Sequence, residues 1–154
     1  MAQYPKSGAN AHCMLMRGYS LHLANERNQA VGLYTELIDL YGETVPDDAV
    51  PAMYLKANAQ MENGNVDPGF ATLKELTENE KYLQNPLADV ALNQLAQQYM
   101  NGPKKDEKAA EKCWLKVNEL FTSAFVRPEG AFKQARQNLT ALYIGQERYE
   151  ALDE

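Results

Sequence analysis

A small residue recurs at a constant interval, and this interval constrains the fold of the 154-residue chain more than any other feature. Gly18, Ala57 and Ala96 are each separated by 39 residues. Each lies in a segment whose apolar residues recur every three or four positions, as they do in amphipathic helices. The spacing therefore predicts a series of similar helical units.

A second small residue and a bulky residue follow the first at matching distances in successive units. The three sets are Gly18, Ala30 and Tyr34; Ala57, Gly69 and Leu73; and Ala96, Ala110 and Trp114, where the turn from Gly102 to Glu107 is longer by two residues. Antiparallel helices approach closely where a side chain is small, and a large side chain one turn later fills the adjacent gap. The pattern predicts helical hairpins that bury their apolar faces by stacking on neighbouring hairpins.

The predicted fold is all-α, an α-solenoid of antiparallel helix pairs in a single domain over 1–154. Gly42, Pro46, Gly64 and Pro86 fall between the predicted helices, where turn residues are expected, and no strand-like alternation competes. The predicted helices cover about 9–25, 28–41, 48–62, 66–80, 87–101, 106–124, 129–145 and 147–153. They group into repeats at about 9–45, 48–84 and 87–126, with a partial repeat at 129–154.

Several local motifs resemble the tetratricopeptide repeat. Tyr99 and Tyr143 look like the aromatic residue of the first helix, the run 64–67 (Gly-Asn-Val-Asp) looks like the turn, and 148–152 (Arg-Tyr-Glu-Ala-Leu) is typical of the family. The resemblance implies a right-handed superhelix whose inner wall is lined by the first helix of each pair. The interval of 39 exceeds the family's usual repeat of about 34 residues, and the long third turn makes the Sel1-like repeat the second choice.

The resemblance implies a protein–protein interaction module or adaptor that binds a peptide or helix of a partner in its concave groove. Asn58 is the residue most similar to the family's asparagine that hydrogen-bonds a bound peptide backbone. The side chains expected to face the groove are Leu15, Tyr19, His22, Tyr54, Asn58, Met61, Glu62, Asn93, Gln97, Met100 and Arg136. Two alternatives stay open: a regulatory sensor that responds to a ligand or peptide, and a self-associating scaffold that forms homo-oligomers.

One subtype of the family grips the carboxyl-terminal tail of a chaperone with Lys and Asn side chains on successive first helices. The corresponding positions here hold Leu15, Tyr19, Leu55, Val90 and Gln94. None of these side chains carries the positive charge that a carboxylate requires. The sequence therefore predicts that such tails do not bind.

The charge pattern narrows the class of partner. The chain has 15 Lys and Arg against 21 Asp and Glu, for a net charge of −6. An acidic chain without a basic stripe is a poor ligand for nucleic acid or an anionic membrane, and it favours a basic partner surface. No run of about eighteen apolar residues is present, so membrane insertion is not expected.

The residues that carry chemistry in other proteins are sparse. His12 and His22 lie ten residues apart on one predicted helix and point in different directions, so they are not expected to share a metal. No phosphate loop or nucleophile motif appears, and we expect no carboxylate on an apolar strip where burial would raise its pKa into a working range. Cys13 and Cys113 are interpreted as reduced thiols, which fits a cytoplasmic protein. We therefore expect neither enzymatic activity nor a cofactor.

Overall fold

The computed structural model describes residues 8–103, 105–122, 127 and 129–148, and this part of the chain is all-helical. Its helices are α1 (Gly8–Leu23), α2 (Arg27–Tyr41), α3 (Pro46–Glu62), α4 (Val66–Glu78), α5 (Leu87–Asn101), α6 (Glu107–Phe121) and α7 (Glu129–Gly145). A short 3₁₀ turn at Tyr82–Gln84 was not predicted. The predicted all-α fold is confirmed. Of the predicted segment 147–153, residues 149–153 lie outside the described residues. No described helix is both long and apolar enough to cross a bilayer.

The chain divides into two compact units, one up to Leu87 and one from Ala88 onward. In the first unit α1 packs on α2 and on α3, α2 packs on α3, and α3 packs on α4. In the second unit α6 packs on α7, and α5 contacts α7 through a hydrogen bond from Asn93 to the carbonyl oxygen of Ala131. Sequential antiparallel pairing therefore organises the first unit, and the single-domain interpretation of 1–154 stays a prediction.

The small residues lie where the predicted hairpins cross. A Cβ atom at Gly18 would lie 2.5 Å from Cε1 of Tyr34, which is fully buried. A Cβ atom at Gly69 would lie 2.8 Å from the carbonyl oxygen of Ala57 in the preceding helix. Ala57 and Ala96 have no exposed surface. The first two hairpins thus close through the contacts that the 39-residue spacing predicts.

Three of the connecting turns share one backbone geometry. Asn25, Gly64 and Glu147 have left-handed φ values of 68°, 83° and 58°. In each turn this residue donates its N–H to the carbonyl three residues back, and the next residue donates to the carbonyl five residues back, at 2.8–3.1 Å. This is the Schellman arrangement that satisfies the last carbonyls of a helix. The turn after α7 therefore repeats the turns after α1 and α3.

The turn between α5 and α6 is different, as the longer run 102–107 predicts. The backbone N–H of Asp106 donates to the carbonyl oxygen of Tyr99 at 2.9 Å. The Asp106 carboxylate accepts a hydrogen bond from the backbone N–H of Ala109 at 3.0 Å and so caps α6. An N-terminal cap of this type stabilises a helix by about 1 kcal/mol.

Candidate functional site

A cleft of about 640 Å³ opens in the second unit, among the C-terminal halves of α5 and α7 and one side of α6. Its walls combine amide, apolar and charged side chains. The lining residues are Gln97, Met100, Asn101, Lys105, Glu107, Trp114, Asn138, Ala141, Leu142, Gly145 and Gln146. Clefts of this size are typical of ligand or peptide sites on proteins.

Four carboxamide side chains lie around this cleft: Gln97, Asn101, Asn138 and Gln146. A carboxamide offers both a donor and an acceptor, which matches the alternating N–H and C=O groups of an extended peptide backbone. The apolar lining comes from Met100, Trp114 and Leu142. The cleft is therefore suited to a peptide segment that brings backbone polar groups and one apolar side chain.

Two lining residues carry a buried N–H donor without an acceptor in the described part of the chain. They are Nε1 of Trp114 and Nδ2 of Asn138. Buried donors in native structures usually have a partner, so each such atom calls for water or a ligand that brings an acceptor. Both atoms belong to residues that line the cleft, although each atom itself is shielded from solvent.

Charges at one end of the cleft are paired with each other. Nζ of Lys105 lies 2.6 Å from Oε1 of Glu107, and Nε2 of Gln146 donates to Oε2 of Glu107 at 2.6 Å. The Lys105 hydrogen bond, followed by that from Gln146, holds the pKa of Glu107 below its usual range. These contacts also hold the start of α6 against the turn after α7.

A second polar network fixes the end of α7 to α6. The Arg148 guanidinium donates to both carboxylate oxygens of Glu111 at 3.0 and 3.1 Å, and Tyr143 Oη donates to Glu111 at 2.9 Å. Arg148 also stacks 4.8 Å from the centre of the Tyr143 ring. The Arg148 hydrogen bond lowers the pKa of Glu111. Bidentate pairs of this kind are geometrically specific, so α6 and α7 have a defined relative position beside the cleft.

In the second unit, the predicted groove residues have three different environments. Gln97 and Met100 both line the cleft. Arg136 is exposed on α7 but is not among the lining residues. Asn93 is 2% exposed and donates Nδ2 to the carbonyl oxygen of Ala131 at 2.9 Å. The expectation that Asn93 faces a binding surface is corrected, because its amide joins α5 to α7 inside the unit.

In the first unit, most predicted groove residues reach the surface. Tyr19 is 41% exposed, whereas Leu15 is buried and is therefore corrected to a core residue of α1. Half-buried side chains are found at Tyr54, Asn58 and Met61 of α3. These positions leave Tyr19 and part of α3 accessible to a partner.

Two predicted residues of the first unit form a charged cluster. Nε2 of His22 lies 3.0 Å from Oε2 of Glu62, and Nε of Arg27 donates to the same oxygen at 3.0 Å. The His22 hydrogen bond, followed by that of Arg27, lowers the pKa of Glu62. The cluster ties the end of α3 to the turn between α1 and α2.

The second unit contains a buried ion pair that the sequence analysis did not predict. Oδ1 of Asp89 lies 3.4 Å from Nη1 of Arg127, and the two side chains are 1% and 2% exposed. Burial raises the pKa of Asp89 to about 6, although Arg127 acts in the opposite direction. The expectation that no carboxylate has a pKa raised by burial is therefore wrong. The apolar residues around Asp89, in the run 87–92, were the available signal.

The comparison with protein families identifies the first hairpin. Residues 12–44, which cover most of α1 and all of α2, match the family model described as Tetratricopeptide repeat. No curated protein gives a significant match. Tetratricopeptide repeats are in general protein–protein interaction modules. The matched hairpin is similar to a tetratricopeptide repeat, and together with the all-helical fold of the described residues it fits a tetratricopeptide-repeat-like protein and is consistent with an α-solenoid.

Proposed function

We propose that the chain is an adaptor that holds an extended segment of a partner protein, with the cleft of the second unit as its main contact. The observation that carries the proposal is that Gln97 and Met100, predicted as binding residues from the repeat pattern, line a cleft of about 640 Å³. The four carboxamides around the cleft support a ligand that is recognised through its backbone.

The net charge of −6 supports a basic partner outside the cleft, where acidic side chains are exposed. Within the cleft, the charged lining residues Lys105 and Glu107 are paired with each other, which supports an uncharged segment there. Cys13 and Cys113 are free thiols, which supports the proposed cytoplasmic location. The proposed role involves binding alone, with no chemical step and no cofactor.

A positional library of acetylated and amidated decapeptides provides the test. We expect the selected peptides to lack charge at the positions that enter the cleft. Asn138→Ala and Gln97→Ala should each weaken the binding of a selected peptide by about tenfold, as expected when one hydrogen bond worth about 1.4 kcal/mol is lost. Gln134→Ala, at an exposed site of α7 outside the cleft, is the matched control.

Three results would contradict the proposal. The library could give no selected sequence, the selected peptides could bind equally well to all the variants, or their binding could depend on a charged residue in the cleft. Circular dichroism of each variant checks that the helices are retained, so a loss of binding is not confused with a loss of fold.

A further inference from the structure

A second pocket of the second unit shares the side chain of Gln146 with the cleft. Its volume of about 450 Å³ lies within the range of ligand sites on proteins. Its walls come from α6 and from the turn after α7. We call it the lysine pocket, and its lining residues are Lys108, Glu111, Lys112, Leu115, Gln146 and Arg148.

The four residues that α6 contributes to the lysine pocket lie on one side of the helix. Lys108, Glu111, Lys112 and Leu115 follow one another at helical spacing over two turns, so their side chains are neighbours. Both lysines are exposed, and Leu115 is 45% exposed. The opposite side of α6 is packed, with buried side chains at Ala110, Cys113, Trp114, Val117 and Leu120. The pocket therefore presents an apolar side chain beside two cationic ones on the outer side of α6.

The lysine pocket carries a local positive charge, because its one lining carboxylate is already paired. Both oxygens of Glu111 accept hydrogen bonds from Arg148, and one of them also accepts from Tyr143. Lys108 and Lys112 form no ion pair within the described part of the chain. The acidic excess of the chain lies elsewhere, since residues 101–154 carry nine Lys and Arg and nine Asp and Glu. Two ammonium groups are thus available to an anionic ligand.

Gln146 separates the lysine pocket from the cleft and is held at both ends of its carboxamide. Its Nε2 donates to Oε2 of Glu107 at 2.6 Å, and its Oε1 accepts from Nη1 of Arg148 at 3.1 Å. The two openings therefore lie on either side of one fixed side chain. A partner segment that leaves the cleft beside Gln146 can continue into the lysine pocket.

We propose that the lysine pocket is a specificity site for an acidic residue and an adjacent apolar side chain of the partner segment that occupies the cleft. The choice of this occupant rests on the proposed function, and it is supported by the continuity of the two openings and by charge complementarity. A carboxylate of the segment would pair with Lys108 or Lys112. The apolar side chain would pack on Leu115 and on the methylene stems of the lysines. The partner sequence is then uncharged in the cleft and acidic immediately beyond it.

The pocket is tested alone by nuclear magnetic resonance of the whole chain, titrated with two acetylated and amidated hexapeptides. Both contain Leu, flanked by two Glu in one peptide and by two Gln in the other. The Glu peptide should shift the backbone amides of Lys108, Lys112 and Leu115 and bind at least about fivefold more tightly than the Gln peptide. Added salt should reduce this preference, because the lysines are exposed.

A matched pair of double variants locates the binding. Lys108→Gln with Lys112→Gln should abolish the preference for the Glu peptide, since the two ammonium groups of the pocket are lost. Lys116→Gln with Lys133→Gln removes the same charge at lysines that pair with Glu119 and Glu129 outside the pocket, and should leave the preference intact.

The proposal is overturned if the Glu peptide does not bind, if both peptides bind equally, or if the two double variants have the same effect. It is also overturned if the triple variant Glu150→Gln, Asp153→Asn, Glu154→Gln raises the affinity for the Glu peptide about tenfold or more. That result would mean that carboxylates of the chain itself compete for the lysines.

A last measurement connects the lysine pocket with the cleft. A peptide selected for the cleft is extended at either end by Leu-Glu-Glu or by Leu-Gln-Gln. At one end the acidic extension should bind at least about fivefold more tightly than its amide counterpart, and no gain at either end would refute a single continuous segment. Failure of the proposed function looks different, because the library would then select nothing for the cleft while the Glu hexapeptide still binds the lysine pocket.

Discussion

At the scale of single residues, the same amino acid has opposite roles in neighbouring helices. Gly18 of α1 lies against the buried ring of Tyr34, whereas a Cβ atom at Gly32 of α2 would meet nothing within 4 Å. Glycine weakens a helix interior unless close packing requires it. The local environment therefore decides whether a methyl group at each glycine stabilises or destabilises the fold.

Gly18→Ala should lower the free energy of unfolding by about 1–3 kcal/mol, because the new Cβ would lie 2.5 Å from Tyr34 Cε1. Gly32→Ala, the matched control, should raise it by up to about 1 kcal/mol through helix propensity. Urea denaturation followed by circular dichroism measures both values. Equal effects of the two substitutions would mean that Gly18 does not mark a close crossing.

Two buried tyrosines provide a second pair of matched substitutions. The hydroxyl of Tyr34 has no hydrogen-bond partner in the described part of the chain, and burial is the larger cause that raises its pKa to about 12. Tyr143 donates to the Glu111 carboxylate at 2.9 Å. Tyr34→Phe should leave stability unchanged or raise it by up to about 1 kcal/mol, and Tyr143→Phe should lower it by about 1–3 kcal/mol. Thermal unfolding of both variants tests this prediction, and a larger loss of stability in Tyr34→Phe than in Tyr143→Phe would contradict it.

At the scale of elements, a repeated turn sets where α1, α3 and α7 end. The left-handed position is held by Asn25, Gly64 and Glu147. Glycine adopts this conformation without strain, asparagine adopts it fairly readily, and glutamate adopts it least well. The turn after α7, with Glu147 at the left-handed position, therefore carries backbone strain that the Arg148–Glu111 contacts across it offset.

Glu147→Gly should raise the free energy of unfolding by about 0.5–1 kcal/mol, because the strain at a φ of 58° is removed. Asn25→Gly should have a smaller effect, and Gly64→Ala should be destabilising. Chemical denaturation of the three variants tests this order. A destabilising Glu147→Gly would show that the glutamate side chain itself supports the turn.

The elements were largely predictable from the sequence, whereas the lining of the cleft was not. Local signals such as Pro46, Gly64 and the 39-residue spacing are sufficient to place the helices. Asn93 and Asp89 were misjudged because their partners, Ala131 and Arg127, are 38 residues away in the chain. Which polar side chains turn inward depends on the packing of α5 against later segments, and no local pattern encodes it.

At the scale of the whole molecule, the buried charge of Asp89 makes stability depend on pH. Its pKa rises from 3.8 to about 6 on folding, chiefly because of burial. The folded chain therefore binds more protons than the unfolded chain between these values. The contribution of this group to the free energy of unfolding then falls as the pH rises from about 4 to about 6, by about 3 kcal/mol at most.

The substitution Asp89→Asn removes this titration. The free energy of unfolding of the parent minus that of the variant should therefore decrease as the pH rises from 4 to 7. Denaturation at several pH values measures the difference, and Asp39→Asn, at an exposed site on α2, is the control. A difference that stays constant with pH, or that increases, would contradict the inferred direction of the pKa shift.

One subtype of the tetratricopeptide repeat grips the carboxyl-terminal tail of a chaperone, and the positions that it uses give another whole-molecule prediction. Its positions here include Leu15, which is buried, and Leu55, which is half-buried. Calorimetry with a chaperone carboxyl-terminal tail peptide should show no binding, because no cation is available at these positions. Micromolar affinity that disappears when the terminal carboxylate is amidated would refute this expectation.

Trp114 is the sole indole of the chain, and it is 3% exposed in a wall of the cleft. Its intrinsic emission is therefore an unlabelled optical signal that comes from the second unit. A shift of this emission during titration reports occupancy of the cleft. During denaturation the same signal follows loss of the second unit, so comparison with the ellipticity of the whole chain reveals whether the two units melt in one step or in two.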